Sequence, residues 1–179
     1  MLTPLRGFLR RGGVIAYATE SCFGLGCDPR NARAVQRLLR IKSRPQRKGL
    51  ILIAADLAQL RPYLAPLSVA ERALLDDYWP GPTTVLLPAS RRCPRWLTGA
   101  HTKIAVRITA HPDARRACLA AGMALVSTSA NRTGQVSLKT VARCQAVFGD
   151  AVRTLPGRVG PRKRPSTLID LATQRVLRA

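Results

Sequence analysis

The run Leu50-Ile51-Leu52-Ile53-Ala54-Ala55 is the longest uninterrupted apolar stretch in the chain, and it limits the possible folds more than any other feature. Six apolar residues without alternation make a strand buried on both faces, which needs covering layers above and below it. They are far too few to cross a bilayer. Around this run, short apolar segments alternate with amphipathic ones. Residues 14–18, 83–87, 104–109, 123–127, 166–171 and 175–178 read as further strands. Residues 2–11, 31–42, 56–64, 68–78, 112–121 and 140–148 read as helices, and 19–29, with Gly24 and Gly26, as a loop.

The helix boundaries have local causes. In 31–42, Val35, Leu38 and Leu39 share one face while Arg33, Arg37 and Arg40 lie elsewhere, and Pro45 forbids continuation beyond Lys42. Ser68 followed three residues later by Glu71 is a capping-box signature, Pro80-Gly81-Pro82 stops that helix, and Gly122 ends the one before it in the string Ala120-Ala121-Gly122. Alternating strands and helices predict an α/β sheet with loops clustered at strand ends. With 179 residues and 46% hydrophobic content, one domain is the default. Only 4% of residues are aromatic, so the core rests on Leu, Val, Ile and Ala.

Thirty Lys and Arg against 9 acids give a net charge of +21, which favours a polyanionic partner such as RNA or DNA. The excess is mostly Arg, as a GC-rich coding bias also produces, and charge alone supplies affinity without specificity or chemistry. Five cysteines without a C-x-x-C pair, and without His at ligand spacing, argue against structural zinc and for reduced thiols in a cytosol. Cys22 and Cys27 read as small buried fillers. Arg6, Arg10 and Arg11 interrupt the first apolar stretch, so no signal peptide is expected, and the chain reads as cytoplasmic with no membrane partner.

No Gly-x4-Gly-Lys string occurs, Gly24-Leu25-Gly26 lacks the third glycine of a dinucleotide fingerprint, and His101 and His111 read as loop or capping residues. The scattered acids suggest neither a two-metal cage nor a glycosidase pair. Chemistry must then rest on positioning and cationic stabilisation. Two strings supply it. Lys42-Ser43-Arg44-Pro45, followed by Lys48, concentrates positive charge where the chain leaves a helix. Ser127-Thr128-Ser129-Ala130-Asn131 offers hydroxyls and backbone N–H groups after an apolar strand. Together they suit a substrate with several phosphates and a carboxylate.

These strings fall into a series with Ala18-Thr19-Glu20-Ser21-Cys22-Phe23-Gly24-Leu25-Gly26-Cys27-Asp28, Lys48-Gly49-Leu50, Trp79-Pro80-Gly81-Pro82-Thr83-Thr84, Ala105-Val106-Arg107, Gly134 with Ser137, and Pro165-Ser166-Thr167. In that order, over nearly the whole chain, the series resembles the YrdC-like family, the threonylcarbamoyl-AMP synthases. The resemblance implies one YrdC-like domain over residues 1–179, in the family's short form. Its fold would be a twisted mixed sheet flanked by helices, with an open concave basic face. It further implies a reaction of L-threonine, bicarbonate or CO2, and ATP that gives threonylcarbamoyl-adenylate and pyrophosphate. The product would serve modification of adenosine 37 in tRNAs reading codons that begin with A.

The resemblance also assigns residues. Lys42 and Arg44 carry the catalytic charges, and Lys48, Arg107, Ser129, Asn131, Ser137 and Arg178 bind ATP. Thr19, Ser127 and Ser166 hold threonine. Mg2+ comes with the ATP polyphosphate rather than on protein ligands. Further partners are tRNA, through the basic surface, and downstream threonylcarbamoyl-transfer proteins. Ala18 and Phe23 depart from the Pro and Tyr common at their positions, which touches the geometry of the threonine loop but not the reaction class. Two other readings compete: a non-catalytic double-stranded-RNA-binding or ribosome-associated protein, favoured by the charge, and a carbamoyl-adenylate domain of hydrogenase maturation. The second is weakened because the zinc-finger and acylphosphatase parts of those longer chains are missing from this sequence.

Overall fold

The computed structural model describes residues 4–179. In chain order the elements are α1 (Leu5–Arg10), β1 (Ile15–Ala18), β2 (Phe23–Gly26), α2 (Ala32–Lys42), β3 (Ile51–Ala54), α3 (Val69–Asp76) and β4 (Thr83–Pro88). They continue with α4 (Arg95–Thr98), β5 (Lys103–Ile108), α5 (Pro112–Ala121), β6 (Leu125–Ser129), α6 (Val141–Phe148), β7 (Arg153–Thr154), β8 (Thr167–Asp170) and β9 (Arg175–Arg178). The strands form one nine-stranded sheet in the order β7-β1-β2-β6-β3-β5-β4-β8-β9. It is mixed: β3 runs parallel to β5 and antiparallel to β6, and β4 runs parallel to β8.

The unbroken apolar run becomes β3, in the middle of the sheet. Its side chains alternate between two cores because successive Cβ atoms point to opposite faces. Leu52 and Ala54 join the larger core, with Leu38, Leu39, Leu87 and Leu97. Ile53 joins the smaller one, which Leu9 of α1 and Ala114, Ala117, Cys118 and Ala121 of α5 cover. β1 splits the same way, Ala16 and Ala18 to one side, Ile15 and Tyr17 to the other. Aliphatic residues dominate both cores, with Tyr17 and Phe23 the two fully buried aromatics among the described residues.

Helix ends follow the expected chemistry. The Asn31 side chain accepts the Ala34 N–H at the start of α2. The capping box of Ser68 and Glu71 opens α3, and Gly122, at φ 64°, closes α5. α2 ends with Ser43 in the left-handed region (φ 53°, ψ 46°), whose N–H bonds to Arg40 O while that of Arg44 bonds to Leu39 O. The reversal at Ser43 separates the paths of Lys42 and Arg44.

Several expectations are corrected. The loop expected over 19–29 contains β2, paired with β1 and β6. Its glycines permit a close approach that signalled loop in the sequence: a Cβ on Gly26 would lie 2.7 Å from Val126 O and 2.8 Å from Tyr17 Cε1. The helix expected over 56–64 shrinks to a 3₁₀ turn at Arg61–Tyr63. Asp56 does accept the Gln59 N–H, but Pro62 has no N–H to continue a ladder. β6 reaches Ser129, two residues beyond its expected end. α4 and β7, of 4 and 2 residues, are too short to leave a periodic signal. The first expected helix begins at residues 2 and 3, outside the described residues. No helix among the described residues is long and apolar enough to cross a membrane.

Candidate active site

Lys42, the last residue of α2, turns inward beneath the end of β6. Its Nζ donates to Ser129 O (2.8 Å), Ser129 Oγ (3.0 Å), Asn131 O (3.1 Å) and Asn131 Oδ1 (2.7 Å). An ammonium has three protons, so the four oxygens leave it no spare donor. The cluster closes on itself. Ser129 Oγ donates to Asn131 Oδ1, Asn131 Nδ2 donates to Arg132 O and Gln135 O, and Thr133 donates through both N and Oγ1 to Lys42 O. Lys42 is 4% exposed. Burial, and then the neighbouring Arg44 guanidinium, push its pKa down to about 8.

In front of this cluster lies a cavity of about 430 Å³. The loop after β1 supplies Thr19 and Cys22, β2 supplies Gly24, and β3 and its approach supply Leu50 and Ile51. β6 contributes Ser127, Thr128 and Ser129, and the loop after it Val136, Ser137 and Lys139. Lys163, Pro165 and Ser166 come from the strap before β8, with Arg44 after α2, Arg107 on β5 and Arg178 on β9. Five of these residues are cations, and none among the described lining residues is an acid.

The polar groups are fixed from behind. The Tyr17 hydroxyl, itself buried, donates to Ser127 Oγ at 2.8 Å. Thr19 Oγ1 donates to Cys22 O at 2.7 Å and pins the loop. Arg178 donates through Nε and Nη2 to Ser166 O, and through Nη2 to Ser166 Oγ, which also accepts from Thr84 Oγ1. Arg44 donates to Gly49 O at 3.0 Å while its Nε is buried without a partner. Burial and then Arg178 lower the pKa of Arg44; burial and then Arg107 lower that of Arg178. Each cation disfavours the charge on the next, a strain that a bound anion relieves.

The fold thus brings Thr19, Arg44, Arg107, Ser127, Ser129, Ser137, Ser166 and Arg178 to one cavity. It does not bring Lys42, Asn131 or Lys48 to its lining. Lys42 and Asn131 make the packed wall behind Ser129. Lys48 lines a neighbouring cleft of about 600 Å³ with His101 and Lys103, which shares Arg44, Leu50, Ile51 and Arg178 with the main cavity. Lys139 and Lys163 on the wall, and Glu20, paired with Arg107, had no role read from the sequence. The run Arg162-Lys163-Arg164 between prolines was a readable signal for the second. For Glu20, the signal was an acid placed directly after Thr19.

Comparison with known proteins gives a consistent picture. The sequence model of the Sua5/YciO/YrdC family, described as telomere recombination, matches residues 7–179. A threonylcarbamoyl-AMP synthase of Chromobacterium violaceum is 63% identical over 170 residues, covering 95% of this chain and 88% of that one. The crystal structure of P. abyssi Sua5 complexed with L-threonine superposes with a TM-score of 0.84 at 31% identity, covering 93% of this chain. This chain spans only 49% of that longer protein. E. coli YciO superposes with a TM-score of 0.81 at 29% identity, covering 96% of this chain and 85% of its own.

Proposed function

The chain belongs to the Sua5/YciO/YrdC family, and on that footing we propose that it is a threonylcarbamoyl-AMP synthase, joining L-threonine, bicarbonate or CO2, and ATP with release of pyrophosphate. Relatives bearing that name align at 57% to 63% identity over more than nine-tenths of this chain. The observation that carries the reading is the cavity itself: seven hydroxyl side chains, three guanidiniums and two lysines line it, with no lining acid among the described residues.

The reaction makes two anions meet. Threonine's unprotonated amine attacks the carbon of CO2 and gives up a proton, or attacks bicarbonate with loss of water, to give a carbamate; a carbamate oxygen then attacks the α-phosphorus and the P–O bond to pyrophosphate breaks. Two unit charges 4 Å apart repel by about 4 kcal/mol at an effective dielectric of about 20. Arg44 and Arg178, on the wall and partly desolvated, offset that repulsion and favour the more negative transition state. Thr19, Ser127 and Ser166 hold the amino acid; Ser129, Ser137 and Arg178 hold the nucleotide. Lys48 reaches the polyphosphate tail from the neighbouring cleft. Lys42 and Asn131 act through the turn they hold, Lys42 keeping Ser129 at its place and adding a positive charge behind it.

Among the described residues no lining residue is a carboxylate, so the wall offers no ligand set for Mg2+, which would enter on the nucleotide's phosphates. The reading continues to a single YrdC-like domain working in the cytoplasm, whose adenylate product goes to threonylcarbamoyl-transfer proteins and to tRNA. The test is pyrophosphate release by the purified chain. Release that requires threonine and bicarbonate together is expected. Equal release without threonine overturns the reading, and tight, salt-sensitive RNA binding with no affinity for ATP replaces it with the RNA-binding alternative.

A further inference from the structure

Seven large apolar side chains are exposed among the described residues, and Val136 is the most exposed of them, at 86%. It is also the one of the seven that lines the main cavity. A solitary surface valine is ordinary, but this one is held in place. The turn that carries it leaves the end of β6, and Gly134, at φ 86°, reverses the chain within it. On one side of Val136, Gln135 N donates to Arg132 O and Gln135 O accepts from Asn131 Nδ2. Thr133 is bonded twice to Lys42 O. On the other side, Leu138 N donates to Ala130 O at 2.9 Å, and Leu138 O accepts the Phe23 N–H at 2.8 Å. The turn is therefore an arch tied at both ends, and it presents an isopropyl group at the rim of the cavity. On the β8 side, Pro165 of the strap is exposed as well and lines the same space. β3, β5 and β4 lie between β6 and β8 in the sheet.

The interior attracts water, since hydroxyls, guanidiniums and lysines dominate its polar lining. The product formed there does not tolerate water. Threonylcarbamoyl-adenylate is a mixed anhydride of a carbamic and a phosphoric acid. Water that reaches the anhydride carbon adds to it, the C–O bond to the phosphate breaks and AMP leaves. The carbamic acid that remains splits into threonine and CO2, so ATP is consumed without product. A ligand that fills the cavity meets the Val136 side chain at the rim and covers it, and that apolar contact keeps bulk water from entering along the β6 side. We propose that Val136 is a shielding residue, which closes the β6 side of the cavity mouth over the bound adenylate and so protects its anhydride bond from hydrolysis. The inference rests on the synthase reading above. It adds to that reading a residue that acts on the ligand with neither charge nor hydrogen bond.

The experiment is a single-turnover assay with the chain in excess over ATP, at saturating L-threonine and bicarbonate, that follows pyrophosphate, threonylcarbamoyl-adenylate and AMP together. The unaltered chain, Val136→Ser and Val136→Ile are compared; at so exposed a position the substitutions leave folding intact. Adenylate released into buffer decays at one rate whichever chain made it, so a difference in the ratio of AMP to adenylate arises on the protein. Val136→Ser should raise that ratio by about tenfold, the factor supplied by two methyl groups that no longer cover the ligand. Its pyrophosphate release should fall by only about twofold, because the side chain brings no charge to the reacting atoms. Val136→Ile keeps the apolar cover and should show the ratio of the unaltered chain. An unchanged ratio in Val136→Ser overturns the inference alone, and slower pyrophosphate release beside it marks a merely structural role. An equal rise in the two variants overturns it as well. Absence of threonine-dependent pyrophosphate release by the unaltered chain overturns the synthase reading and this inference with it.

Discussion

Lys42 and Arg44 are two residues apart, yet one stands behind the wall of the cavity and the other on it. The Lys42 ammonium is enclosed by four oxygens of Ser129 and Asn131. Arg44 makes one bond to Gly49 O and keeps a buried Nε without a partner. The left-handed turn at Ser43 sends the two side chains to these different places. A lysine satisfied by the protein is an architectural charge: it fixes the hydroxyl turn and contributes field without contact. An arginine with unused donors is available to a ligand. The same positive sign therefore serves two physical tasks, and substitution separates them.

The sharpest break is Lys42→Met. It leaves Ser129 and Asn131 oxygens without their donor and is expected to cost about 3 kcal/mol of stability, as when one partner of a buried charged cluster is removed. Pyrophosphate-forming activity should fall by at least about a hundredfold; denaturant unfolding and an activity assay check the two effects together. Arg44→Gln should also lower activity by about a hundredfold, while its melting temperature moves by no more than about 4 °C, the size expected for one lost hydrogen bond. An Arg44 variant as unstable as the Lys42 variant would erase the distinction.

A smaller effect sharpens it further. Lys42 has a pKa near 8, below that of an ordinary lysine, so its ammonium is present below that pH and lost as pH rises through it. Activity that needs the ammonium should show an alkaline limb near pH 8 in kcat/KM. Because Arg44 is the second cause of the depression, Arg44→Gln should move that limb to higher pH, and Lys42→Arg should abolish it. A limb in the same place in all three proteins would show that Lys42 does not set it. The smallest effect serves as the reference. Ser68→Ala removes the cap of α3 and should cost about 1 kcal/mol with no change in activity.

The sequence carried much of this in legible form. The two-faced burial of β3 follows from six apolar residues in a row, and α2 and α5 occupy 32–42 and 112–121, within one residue of expectation, because their caps and periodicity are local. β2 escaped because Phe23-Gly24-Leu25-Gly26 has turn chemistry, and its strand state depends on Tyr17 and Val126, which are near only after folding. Motif order pointed to eight residues that the fold gathers at one cavity, and to three, Lys42, Asn131 and Lys48, that lie outside its lining. The direction in which each side chain points was not readable. Nothing in Lys42-Ser43-Arg44 says that the first cation faces inward, since that depends on Asn131, 89 residues away. The Glu20–Arg107 pair is hidden for the same reason: it joins loop and strand across three intervening strands.

The cavity draws its lining from Thr19 through Arg178, nearly the full span of the described chain. During synthesis on a ribosome, the strands around β3 have all their partners once β6 has emerged, whereas the pocket still lacks Ser166 and Arg178. A chain that ends at β6 therefore owns most of a hydrophobic interior but only part of the cavity wall. The wall closes only when β9 docks on β8 and brings Arg178 onto Ser166.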